Sequence, residues 1–230
     1  MQAGIKDRYD VVKKETASFR PISPDQRMAQ RVVDLRAELQ EVEANVLACR
    51  TGTEYIDINL NKGEFHLLVW GRELRLTYPD FFAYDSQTGQ EIKVDTLALL
   101  LYYFSTSDGT PEAGRWISFS ELPGGKFYNQ AYQGYTGGEL GRAIKSDVAA
   151  FEHAAQSLGG RRAPIADCAY SFHALPRVAL CVVYWRGDED FPDSYQVLFD
   201  ASAGHHLPTD VCAGLGSTLT HRLIKAHQTP

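Results

Sequence analysis

The chain has 230 residues, 44% of them hydrophobic and 23% charged, with a formal net charge of -6. That is the make-up of an ordinary soluble globular protein long enough to bury one substantial core, and the mild negative charge without a dense Lys/Arg block excludes nucleic acid as a main partner. The longest apolar run, Thr96 to Phe104, falls well short of the roughly 20 residues that span a bilayer, and the opening MQAGIKDRYDVVKKE has no apolar signal core.

Residues 1–22 are expected to form a loosely held tail before a single α+β domain over 23–230. Ser23, Pro24 and Gln26 make an N-terminal capping signal and predict a helix over 23–49. Its apolar residues Met28, Val32, Leu35, Leu39, Val42 and Val46 alternate spacings of four and three. That stripe is either a seam for a dimer through helix 23–49 or a face laid on the chain's own sheet. The second is favoured, because so short a repeat rarely associates alone.

A β-meander is expected next. Ile56, Ile58 and Leu60 alternate with polar residues, as do Phe65, Leu67 and Val69, with the Asn61-Lys62-Gly63 loop between them and a turn at Gly71-Arg72. His66 falls opposite Phe65 and Leu67, which reads as an outer-face histidine rather than a ligand. The run DTLALLLYYF is apolar nearly all round and predicts a central buried helix. A strand at RWISF, a loop rich in glycine and aromatics, and a helix from about 138 to 158 follow. Strands near 167–172, 178–185 and 195–199 and a helix from Thr209 complete the chain. The fold class is therefore α+β, a largely antiparallel sheet packed with a central apolar helix and flanking helices.

Two regions carry candidate chemistry. In the stretch Trp185 to Asp210, the strand 195–199 separates Asp188, Glu189, Asp190 and Asp193 from Asp200, His205 and His206 by roughly 15–20 Å, so they cannot share one metal ion. The acidic group reads as a solvated turn, its spacing being unlike a calcium loop. At the other end His173 and Arg177 fall near Asp200, His205 and His206, a set suited to zinc, iron or acid–base chemistry. A structural role is favoured there, with Asp200 as a turn anchor, since no H-x-x-x-H or H-E-x-x-H spacing is present. Cys168 lies on the opposite strand face from His173, which argues against a Cys/His nucleophile.

The second region is Leu122 to Gly141. Gly124, Gly125 and Lys126, then Gly137 and Gly138 at a helix start, present backbone N–H groups suited to an anion, and Tyr128 and Tyr132 suit the wall of a pocket. Neither nucleotide-loop motif is matched, so these seven residues are a ligand site of open identity, with no cofactor implied. The four cysteines, Cys49, Cys168, Cys181 and Cys212, include no C-x-x-C pair. That fits reduced thiols in a cytoplasm and argues against an iron–sulfur cluster held by this chain alone.

The stretches WISFSELPGGKFYNQAY, ALLLYYF and ALPRVALCVVYWRGDEDFPDSYQVLFDASAGHHLPTD together resemble the bacterial and archaeal domain-of-unknown-function family numbered 3786, over roughly Ser23 to Leu223. The resemblance implies an anaerobic redox or one-carbon, corrinoid-linked setting and carries over no catalytic residue. Three readings stand: a small-molecule or cofactor-binding accessory protein using the 122–141 loop, a metal-assisted or acid–base enzyme using His173, Asp200, His205 and His206, and a protein-interaction subunit of a larger complex.

Overall fold

The computed structural model describes residues 23–60 and 62–228, so the expected tail lies outside the described residues. Helix α1 (Pro24–Gln40) begins as the capping signal requires: Ser23 Oγ accepts the Gln26 N–H at 3.2 Å, and Gln26 Oε1 accepts the Ser23 N–H at 3.0 Å. The single helix expected over 23–49 is broken, with α2 running Ala44–Thr51. At the break the Tyr78 hydroxyl donates to the Val42 carbonyl at 3.1 Å, which holds that carbonyl outside a helical ladder.

Val32, Leu35 and Leu39 are buried where α1 packs on α3 (Val94–Thr106), while Met28 and Val46 at the ends of the stripe are exposed. The middle of the stripe is thus covered mainly by a helix of the same chain, where a sheet was expected. Burying Leu35 and Leu39 contributes roughly 1.5–3 kcal/mol each. Helix α3 is the central helix that its apolar run predicts, with Leu97, Ala98, Leu100, Leu101, Tyr103 and Phe104 buried. The Tyr103 hydroxyl donates to the Thr51 carbonyl at 2.5 Å and accepts the Arg177 N–H at 3.1 Å, tying α2 to a turn of the second sheet.

Two antiparallel sheets give the α+β class. The first is a meander in the order β1 (Glu54–Asn59), β2 (Lys62–Val69), β3 (Arg72–Tyr78), β4 (Ala83–Asp85). Phe65, Leu67, Val69, Leu74 and Leu76 form its inner face, and Phe65 meets Phe104 of α3 at 4.8 Å. In β1 the inward residue is Tyr55, 5.1 Å from Phe65, so Ile56, Ile58 and Leu60 point outward at 41%, 60% and 94% exposure. Their alternation marks a strand correctly but the wrong face of it.

The second sheet has the order β5 (Trp116–Ile117), β9 (Ser194–Asp200), β8 (Val178–Trp185), β7 (Cys168–Leu175), β6 (Arg161–Arg162). Cys168, Tyr170 and Phe172 lie on the side of α6 (Val148–Ser157), which itself packs on α7 (Thr209–Gln228), whereas Ala169, Cys181 and Val183 pack with Ala163 on the other side. The expected loop contains a helix, α4 (Asn129–Tyr135), and is followed at once by α5 (Gly137–Ile144). The helix expected over 138–158 divides at Lys145, whose φ is 55°, and Asp147 caps α6 by accepting the Ala150 N–H at 2.9 Å. Among the described residues no helix is long and apolar enough to cross a membrane.

Candidate functional site

His173, Asp200, His205 and His206 do come to one neighbourhood, but each reaches the loop 107–114 rather than the others. His173 Nε2 lies 3.0 Å from Glu112 Oε1, and His205 Nδ1 lies 2.8 Å from Asp108 Oδ2. Asp200 accepts the N–H groups of Ala113 at 2.9 Å and Gly114 at 2.8 Å, together with the N–H and hydroxyl of Ser202 at 2.9 and 2.6 Å. Burial alone would raise the Asp200 pKa, yet the hydrogen bonds from Ser202, Ala113 and Gly114 hold it below the ordinary value.

His206 is fully buried. Its Nε2 lies 2.9 Å from the Thr110 carbonyl and its Nδ1 3.2 Å from Ser107 Oγ. A carbonyl can only accept, so Nε2 carries the proton and Nδ1 accepts from the serine. Burial pushes the His206 pKa down and favours this neutral ring. Among the described residues no group of three or more His, Cys, Asp or Glu is placed to hold a metal ion, and the four expected residues are each bonded to the loop 107–114 instead. The acidic turn is also structural: Asp188 Oδ1 accepts the N–H groups of Asp190 and Phe191, both at 2.9 Å, and Asp193 accepts the Tyr184 hydroxyl at 2.9 Å.

The seven residues of the 122–141 candidate are divided. Gly124 and Tyr128 line an apolar hollow of about 670 Å³ with Phe119 and Tyr135, beside the first turns of α7. Tyr132 is buried beneath it, its ring stacked on Phe119 at 4.1 Å, and Gly125 is buried as well. Lys126 is exposed and does not line the hollow. Gly137 and Gly138 open onto a separate groove with Asn129 and Arg142. A Cβ at Gly137 would stand 2.0 Å from the Tyr195 carbonyl, so that glycine lets α5 start against β9.

A third place combines charge, shape and strain. Where the outer face of the meander meets β6 and β7, a cleft of about 730 Å³ opens. Its edge is the two-residue turn between β2 and β3, Trp70-Gly71, with φ of 52° and 77°. Both residues are left-handed, as in a type I′ hairpin turn, where Asn-Gly is the usual pair. A bulky tryptophan held there stores on the order of 1–3 kcal/mol of strain. It is held by packing against the core, by the Trp70 N–H donating to the Ala174 carbonyl at 3.0 Å, and by the Arg222 guanidinium 5.3 Å from the indole centroid.

Opposite charges face each other across this cleft. Glu54, His66 and Glu73 come from the meander, while Arg161, Ser171, His173 and Arg222 come from β6, β7 and α7. His66 is the outer-face residue that strand alternation predicts, 3.6 Å from Glu64 and 3.7 Å from Glu73. Leu68, Leu158, Phe172, Leu175 and Leu219 supply the apolar lining. Of the cleft's polar residues, His173 alone was a sequence candidate. The available clue to the others was Trp70-Gly71, a tryptophan where a hairpin turn normally takes asparagine.

The family model for a domain of unknown function, DUF3786, matches residues 45–222. The chain belongs to the DUF3786 family. No curated protein and no solved structure matches it. The DUF3786 match takes in all the cleft residues, from Gly52 to Arg222, and the loop 107–114, but begins after α1. The matched segment therefore holds both sheets, nearly all of α2, the helices α3 to α6 and most of α7, and leaves out α1.

Proposed function

We propose that this protein binds a small molecule in the cleft between its two sheets, as a binding or accessory protein. The observation that carries this reading is the strained Trp70 turn. A left-handed tryptophan persists only where its surroundings over-determine it, and such strain gathers at ligand sites. Here the surroundings are the seam itself, since the indole rests on Arg222 and the backbone is bonded to Ala174. A volume of about 730 Å³ with an apolar lining and a few converging polar groups suits a metabolite-sized ligand. The enzyme reading based on His173, Asp200, His205 and His206 gains no support, because those groups are engaged with the loop 107–114.

The test is native mass spectrometry of the full chain purified without oxygen from its own host, beside a Ser171→Trp variant that fills the cleft. A retained small molecule lost from the variant, with the urea-unfolding midpoint unchanged, is the expected result. Equal retention by both proteins would place the ligand elsewhere, and a Tyr128→Ala variant would then show whether the aromatic hollow holds it.

A further inference from the structure

Resting on that reading, we infer that the ligand of the cleft is zwitterionic, carrying an ammonium group and a carboxylate or phosphate on an apolar body. The charges of the cleft are sorted by wall. Glu54 and Glu73 stand on the meander side, and Arg161 and Arg222 on the side of the second sheet and α7. No ion pair joins the two walls among the described residues. Glu73 has His66 at 3.7 Å, Arg222 has the Trp70 ring at 5.3 Å, and neither Glu54 nor Arg161 has an ion-pair partner among the described residues.

Two carboxylates facing two guanidinium groups decide the ligand's charge. A simple anion gains at the arginines and is repelled by the glutamates, and a simple cation meets the reverse. A molecule bearing both charges gains at both walls, and each bond is charge-assisted. Arg222 is the better desolvated of the two guanidinium groups, burial pushing its pKa down, so a ligand anion meets it in a medium that screens less than water. Leu68, Phe172 and Leu219 leave room for an apolar body between the charged ends.

The experiment is isothermal titration calorimetry on the full chain with three probes: the dipeptide leucylleucine, its N-acetyl form, which keeps only the carboxylate, and its C-terminal amide, which keeps only the ammonium. The zwitterion is expected to bind about tenfold or more tightly than either capped form. Glu54→Gln should narrow its advantage over the N-acetyl form, and Arg161→Met its advantage over the amide. Equal binding of all three, still abolished by Ser171→Trp, overturns the zwitterion inference and leaves the cleft reading standing. So does a retained metabolite whose mass identifies a molecule lacking either charge. Failure of all three probes overturns the inference too, and if Ser171→Trp also changes no retained molecule, the cleft reading falls with it.

Discussion

The turn between β9 and α7 and the cleft between the sheets hold much the same side chains, histidines and carboxylates with an arginine nearby, yet their polar atoms differ in how fully they are engaged. Asp200 accepts four hydrogen bonds and both ring nitrogens of His206 are engaged. At the cleft Glu54 and Arg161 have no charged partner among the described residues, and Arg222 rests on an indole. The first region uses its bonding capacity to fix the loop 107–114, and in the second His66 and Glu73 face each other while Glu54 and Arg161 have no ion pair among the described residues. A group of catalytic-looking residue types therefore says less about function than the state of their hydrogen bonds.

That contrast breaks most easily at Asp200. Replacing it with Ala leaves the N–H groups of Ala113, Gly114 and Ser202 without their acceptor and should lower stability by roughly 3 kcal/mol or more in urea unfolding. A loss below about 1 kcal/mol would show that Asp200 is no anchor. His206 gives the next effect. Its folded pKa lies below the ordinary 6.5, so between those values the unfolded chain binds the proton and the native state does not. Stability should be full above about pH 6.5 and fall as the pH drops below it, by at most about 1.4 kcal/mol per pH unit. A His206→Gln variant should flatten that part of the profile, and an unchanged slope would assign it to another group. The smallest effect belongs to the cleft: Arg161→Met should shift the unfolding free energy by less than about 0.5 kcal/mol. A larger loss would mean that Arg161 is a structural residue and not one held ready for a ligand.

The elements built from local pattern were legible in the sequence. The apolar run of α3, the capping box at Ser23 and the strand limits of β8 and β9 all follow from residues close in the chain. Asp200 as a turn anchor was legible too, because a carboxylate at a strand end has few other uses. The break between α1 and α2 was not, since it depends on Tyr78, 36 residues beyond Val42. The cleft was hidden for the same reason on a larger scale. Glu54, Trp70, Arg161, His173 and Arg222 come from five separate elements or turns, and no spacing links them until the two sheets meet.

Strand β1 forms one edge of the meander, with Ile56 and Ile58 exposed on its outer face. A bare hydrophobic edge of that kind invites a neighbouring chain to extend the sheet. Two features of the strand oppose this. Asp57 sits on the same side as Tyr55, pointing a charge inward at the rim, and the pairing with β2 slips between Asp57 and Asn59. An added strand would have to bury the Asp57 carboxylate and follow the irregular backbone, so this rim resists runaway sheet growth while keeping its isoleucines in water.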